Sequence, residues 1–122
     1  MTLRELYAQI EGDYDQAIRV VRVEKLMDKH IRKLSDNGVV EKLLEAANGM
    51  DPVQLFEAAH AMKGVCGNLG LTRLADMASD IAEEYRPGNA RKMTDEAVAA
   101  KIAEIRALYG KTTEGIRRYK EG

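Results

Sequence analysis

The residues of this chain best suited to nucleophilic or metal-ligating chemistry at neutral pH are two histidines, His30 and His60, and one cysteine, Cys66. Around His60 the spacing is unusual. Segment 52–70 reads Pro-Val-Gln-Leu-Phe-Glu-Ala-Ala-His-Ala-Met-Lys-Gly-Val-Cys-Gly-Asn-Leu-Gly. Wound as a helix at about 100° per residue, it gathers Leu55, Ala58, Ala59, Met62, Val65, Cys66 and Leu69 on one apolar face. His60 falls nearly opposite, in the company of Val53, Phe56, Glu57, Lys63, Gly64 and Gly67. A neutral imidazole is a nucleophile, and a free one titrates near about 6.5, so a large fraction is neutral at pH 7. Lys63, three residues on, can bring a flexible positive charge to a dianionic group carried on that imidazole. Each glycine inside a helix costs on the order of 1 kcal/mol relative to alanine. Two of them on one exposed stripe need a reason: either open space beside the imidazole for a phosphate or a partner's surface, or close packing of another helix. Only the first also explains the lysine and the outward phase of the histidine. The arrangement suits a nucleophile beside a positive charge, with room for a phosphate or for another protein's surface.

The elements that must hold this stripe are helices. Thr2-Leu-Arg-Glu5, Asp13-Tyr-Asp-Gln16 and Asp51-Pro-Val-Gln54 each place a side-chain acceptor three residues before Glu or Gln, the spacing of a capped helix start. Pro52 suits a first helical turn, and Thr94 before Asp95 and Glu96 marks another start. Asn37-Gly38, Asn48-Gly49 and Pro87-Gly88 mark stops. The pattern predicts helices at about 2–10, 14–34 (broken or kinked near 21–23), 39–47, 52–69, 72–86 and 95–119. The last carries Val98, Ile102, Ile105, Tyr109, Thr112, Ile116 and Tyr119 as a continuous stripe, with Gly110 and Gly115 expected to loosen its final turns. The 72–86 helix offers Leu74, Ala78, Ile81 and Tyr85. No run alternates as a strand does. The expected fold is all-α, a single domain over 1–122. It comprises a four-helix bundle core over 22–120 and one or two short N-terminal helices over 1–21.

The stretch His60-Ala-Met-Lys63-Gly64-Val-Cys-Gly67-Asn68-Leu-Gly70 strongly resembles the signature of histidine-containing phosphotransfer (HPt) domains. In that family a solvent-facing His is followed by Lys at +3, Gly at +4 and, where the helix ends, Gly at +10. The resemblance runs from Phe56 to Glu84. It implies that His60 accepts and donates a phosphoryl group, that Lys63 helps to hold it, and that Gly64 keeps the histidine accessible. The implied partners are response-regulator receiver domains, which bring an aspartate and Mg²⁺, and a sensor or hybrid histidine kinase. The chain would then be a phosphocarrier with no cofactor and no ATP site of its own, rather than an enzyme. Some members place a Gln near the His from the next helix; the candidate position here is Ala82, which has no hydrogen-bonding side chain. The docking surface is expected along the His60 stripe, from Val53, Phe56, Glu57, Gly67 and Asn68, apolar at its centre and charged at its rim.

Other function classes fare worse. Glu57-Ala-Ala-His60 fits the Glu-x-x-His pattern of carboxylate-bridged di-metal bundles, but that site needs a second inward-facing pair, and His30 has Met27 at the equivalent place. His30 reads as a boundary residue near Met27 and Leu34, with no glycine clearing space around it. One Cys and two His cannot furnish a structural zinc site, and a lone Cys forms no internal disulfide. Cys66, Met27, Met62 and Met77 read as core. Gly64-x-x-Gly67-x-x-Gly70 lacks the strand-turn context of a nucleotide-binding loop. Nineteen Lys and Arg against twenty Asp and Glu leave a net charge of −1, which gives no field to attract nucleic acid or an anionic membrane. No apolar run approaches the roughly 18–20 residues of a membrane span, and Arg4 and Glu5 interrupt any leader-like start. A cytoplasmic monomer is expected. The rival that survives is a helical adaptor with the same bundle and docking face that carries no phosphate.

Overall fold

Side-chain caps open the helices where the sequence places acceptors. The structure, a computed structural model, describes residues 1–122. Thr2 accepts from the Glu5 N–H and Glu5 accepts from the Thr2 N–H, both at 3.1 Å, which starts α1 (Leu3–Gln9). Asp13 accepts from the Gln16 N–H at 3.0 Å at the head of α2 (Tyr14–Val21). The expected break follows at Arg22, whose φ of 74° ends that helix. The chain resumes as α3 (Glu24–Arg32) and a single turn, α4 (Leu34–Asn37), so the stretch expected at 14–34 is three helices. Gly38, with φ 77°, turns the chain into α5 (Val39–Gly49). Asp51 then accepts from the Val53 and Gln54 N–H groups, and Pro52 occupies the first turn of α6 (Pro52–Asn68). Next come α7 (Thr72–Tyr85) and, capped by Thr94, α8 (Asp95–Glu121). The fold is all-α, with no strand.

Helices α5, α6, α7 and α8 pack in a ring, each against the next, and form the four-helix bundle; α1 lies on α8, and α2 bridges α3 and α6. One apolar core runs through all of it, from Leu3, Leu6, Tyr7 and Ile10 to Ile105 and Ile116. Each 72–86 stripe residue is buried, as are Met27, Met62 and Met77. The final turns of α8 stay helical to Glu121. Gly115 lies under α1: a Cβ there would stand 2.7 Å from Ile10 Cγ2, so the glycine permits a close helix crossing rather than loosening the helix.

Two polar ties fix the ends of α6 and α7. The Tyr7 hydroxyl donates to the Leu69 carbonyl at 2.7 Å, and the Asp13 N–H donates to the Gly70 carbonyl at 2.7 Å, so α1 and α2 are held to the end of α6. Gly70 must be glycine: its φ is 70°, and a Cβ would meet the Asp13 carbonyl oxygen at 2.4 Å. On α7, Glu84 is buried. It accepts from Arg91 and, at 3.1 Å, from the N–H groups of Lys92 and Met93, which pins the loop leading to α8.

Candidate functional site

Helix α6 buries Leu55, Ala59, Met62 and Cys66 against its neighbours, and the opposite face carries exposed Val53, Glu57, His60, Lys63 and Gly64. Burial pushes the Cys66 thiol up to about 12, so it stays protonated and serves as a small core side chain. Ala58 and Val65, at the flanks of the apolar face, are half-buried. Glu57 and His60 both face solvent, which is incompatible with the inward-pointing pair of a di-metal bundle.

His60 has an aromatic neighbour on its own helix. Phe56, one turn earlier, lies with its ring centroid 5.6 Å from that of the imidazole, the two planes inclined by 24°. Phe56 is half-buried, and the Arg86 guanidinium from the end of α7 sits 5.5 Å from its centroid. Arg86 is in turn gripped by Glu83, at 2.7 and 3.1 Å to one carboxylate oxygen. That grip holds the Glu83 carboxyl below its ordinary range, and the nearby charge of Lys63 adds to the effect. Glu83 and Arg86 are therefore the α7 residues that border the site. Ala82 is 1% exposed and faces the core, so it is not the residue that α7 presents to the histidine.

The glycines divide by surroundings. A Cβ placed on Gly64 or on Gly67 would meet no atom within 4 Å. No helix of this chain packs on them, unlike Gly70 and Gly115, so the close-packing reason for their presence is removed. They leave bare backbone on the solvent side of α6, immediately beyond His60. Val53, at 63% exposed, and Asn68 extend the stripe to either end of the helix. Past Asn68 the surface opens into a groove in which Val65 and Leu69 of the α6 end meet Val20, Val21 and Leu26, with His30 at its rim. His30 is exposed, on α3. The sequence pattern missed Arg86 and Glu83, although an Arg three residues after a Glu off the α7 apolar stripe is a readable signal.

The family model of the Hpt domain matches residues 2–111 of the 122, and the chain belongs to that family. No curated protein and no solved structure gives a match. Hpt domains serve phosphotransfer in two-component signalling and act as phosphocarrier modules without an ATP site of their own. No helix is long and apolar enough to cross a membrane.

Proposed function

We propose that this chain is a phosphorelay intermediate in which His60 receives a phosphoryl group from the aspartate of a response-regulator receiver domain, or returns one to it. An unprotonated imidazole nitrogen attacks phosphorus. The N–P bond forms as the P–O bond to the aspartate breaks, the carboxylate leaves with the electron pair, and solvent takes the proton of the phosphorylated ring. Lys63 offsets the charge that gathers on the phosphoryl oxygens. The chain contributes no cofactor to this step; the receiver brings Mg²⁺ and the acidic residues that bind it. A sensor or hybrid histidine kinase stands upstream, and the domain works as a cytoplasmic monomer.

One observation carries this reading: the open space at Gly64 and Gly67 beside an exposed histidine. Helix stability is given up there without any return in internal packing, and a surface that must admit a second protein accounts for it. Val53, Glu57, Gly67 and Asn68 line that surface, Phe56 borders it, and the groove with Val20 and Leu26 continues it. Apolar ground of this kind beside a charged rim suits a small, transient interface. The test uses purified receiver domains charged with acetyl phosphate and Mg²⁺. An acid-labile, base-stable label passes to the wild-type chain and not to His60→Gln. Binding of receivers without any transfer would make the chain an adaptor and contradict the reading.

A further inference from the structure

We propose that Phe56 is a positioning residue for phosphotransfer: its ring fixes the plane of the His60 imidazole, and Arg86 braces it from α7. This rests on the reading of His60 as the phosphoryl carrier. An exposed histidine on a helix rotates about χ1 and, over a broad well, about χ2. In-line displacement requires the nitrogen lone pair, which lies in the ring plane, to point along the breaking P–O bond. A freely turning ring offers that direction only part of the time. The offset stack, with centroids 5.6 Å apart and planes inclined by 24°, flanks the imidazole on one side and so limits its rotation. His60 itself remains exposed, within reach of an incoming phosphorus.

Phe56 can do this because it is itself held. It is half-buried on α6, and the Arg86 guanidinium lies 5.5 Å from its centroid. Glu83 in turn fixes Arg86 at 2.7 Å. With its charge already answered by Glu83, Arg86 serves as a brace, while Lys63 remains the cation for the phosphoryl group. Helical phase puts Phe56 on the docking stripe, but its ring is engaged by two side chains of its own chain, which assigns it to holding the imidazole rather than to anchoring a receiver. A leucine at position 56 would keep apolar bulk and lose the flat face; a tyrosine would keep the flat face.

The test combines two readouts on wild type, Phe56→Leu, Phe56→Tyr and Arg86→Gln. The first is the single-turnover rate from a receiver charged with acetyl phosphate, measured at saturating receiver, beside the Kd of the uncharged receiver. Phe56→Leu should lower the saturating rate roughly three- to tenfold, the worth of an aromatic pair, with Kd unchanged. Phe56→Tyr should restore the rate, and Arg86→Gln should give a smaller loss of the same kind. The second is the NMR shift of the His60 ring protons, displaced by the Phe56 ring current in wild type and Phe56→Tyr and relaxed in Phe56→Leu. A weakened Kd with an unchanged saturating rate would make Phe56 a docking anchor and overturn the proposal. So would His60 resonances indifferent to Phe56→Leu; an Arg86→Gln variant unchanged in both readouts would remove the brace. If the wild type takes no label, the phosphocarrier reading fails, and the ring-proton shifts still show by themselves whether Phe56 holds the imidazole.

Discussion

Replacing Gly64 with alanine should make the protein more stable and a poorer phosphoryl carrier. The position lies inside α6, and a Cβ there meets nothing within 4 Å. The substitution therefore brings no clash and recovers the helix propensity that glycine lacks, about 0.8–1.0 kcal/mol. For a domain of this size that corresponds to a rise in Tm of about 3–5 °C. The same methyl group stands one helical turn beyond His60, on the surface that the proposed function gives to the receiver. Forcing an extra carbon into a packed contact costs about 1–2 kcal/mol, or about a five- to thirtyfold lower kcat/KM for transfer. Urea unfolding followed by helical circular dichroism measures the first effect, and transfer from a charged receiver measures the second. A stabilised variant with unimpaired transfer would refute the claim that the glycine exists for access. A destabilised variant would show instead that packing or backbone geometry requires it.

Gly70→Ala should behave oppositely: its φ of 70° and the 2.4 Å approach to the Asp13 carbonyl predict a loss of about 2 kcal/mol or more, visible as a lower urea midpoint. Lys63→Ala should slow transfer about tenfold while leaving the Kd for uncharged receiver nearly intact, because it removes one compensating charge and little surface; equal losses in both would assign it to docking. The Glu84 carboxyl is held below its usual range by Arg91 first and by the N–H groups of Met93 and Lys92, against the opposing effect of burial. A depressed folded-state pKa contributes stability that is fully present above the unfolded value of about 4.3 and is lost as pH falls through the folded value. Glu84→Gln should therefore lower Tm at pH 7, and its difference from wild type should shrink as the pH falls below the ordinary carboxylate range. A difference that persists undiminished in acid would mean the side chain acts through packing alone.

Much of the fold was legible because its signals are local. Thr2, Asp13, Asp51 and Thr94 cap the helices they were expected to cap, through bonds made within three residues. The two faces of α6 follow from helical phase, so His60, Lys63 and Gly64 could be set on the outer face before any packing was known. What depends on how helices cross was not legible. Whether α7 offers Ala82 or Glu83 and Arg86 to the site is decided by its rotation against α6, which no residue spacing encodes. Gly115 reads as a weak point until α1 is laid on it. The burial of Glu84 has no local signal, since the returning loop delivers two N–H groups and an arginine to it. The left-handed turn at Arg22 carries no glycine to announce it, so a break was foreseen but not the separate turn of α4.

The claim on which the rest depends is that the phosphoryl group resides on His60. Wild-type protein labelled from a charged receiver, kept at alkaline pH and fragmented by electron transfer in a mass spectrometer, locates it directly. The added phosphate mass should fall on His60 alone and vanish in His60→Gln, while that variant keeps the wild-type circular dichroism spectrum. A phosphate found on His30, or one retained by the His60→Gln variant, would contradict it.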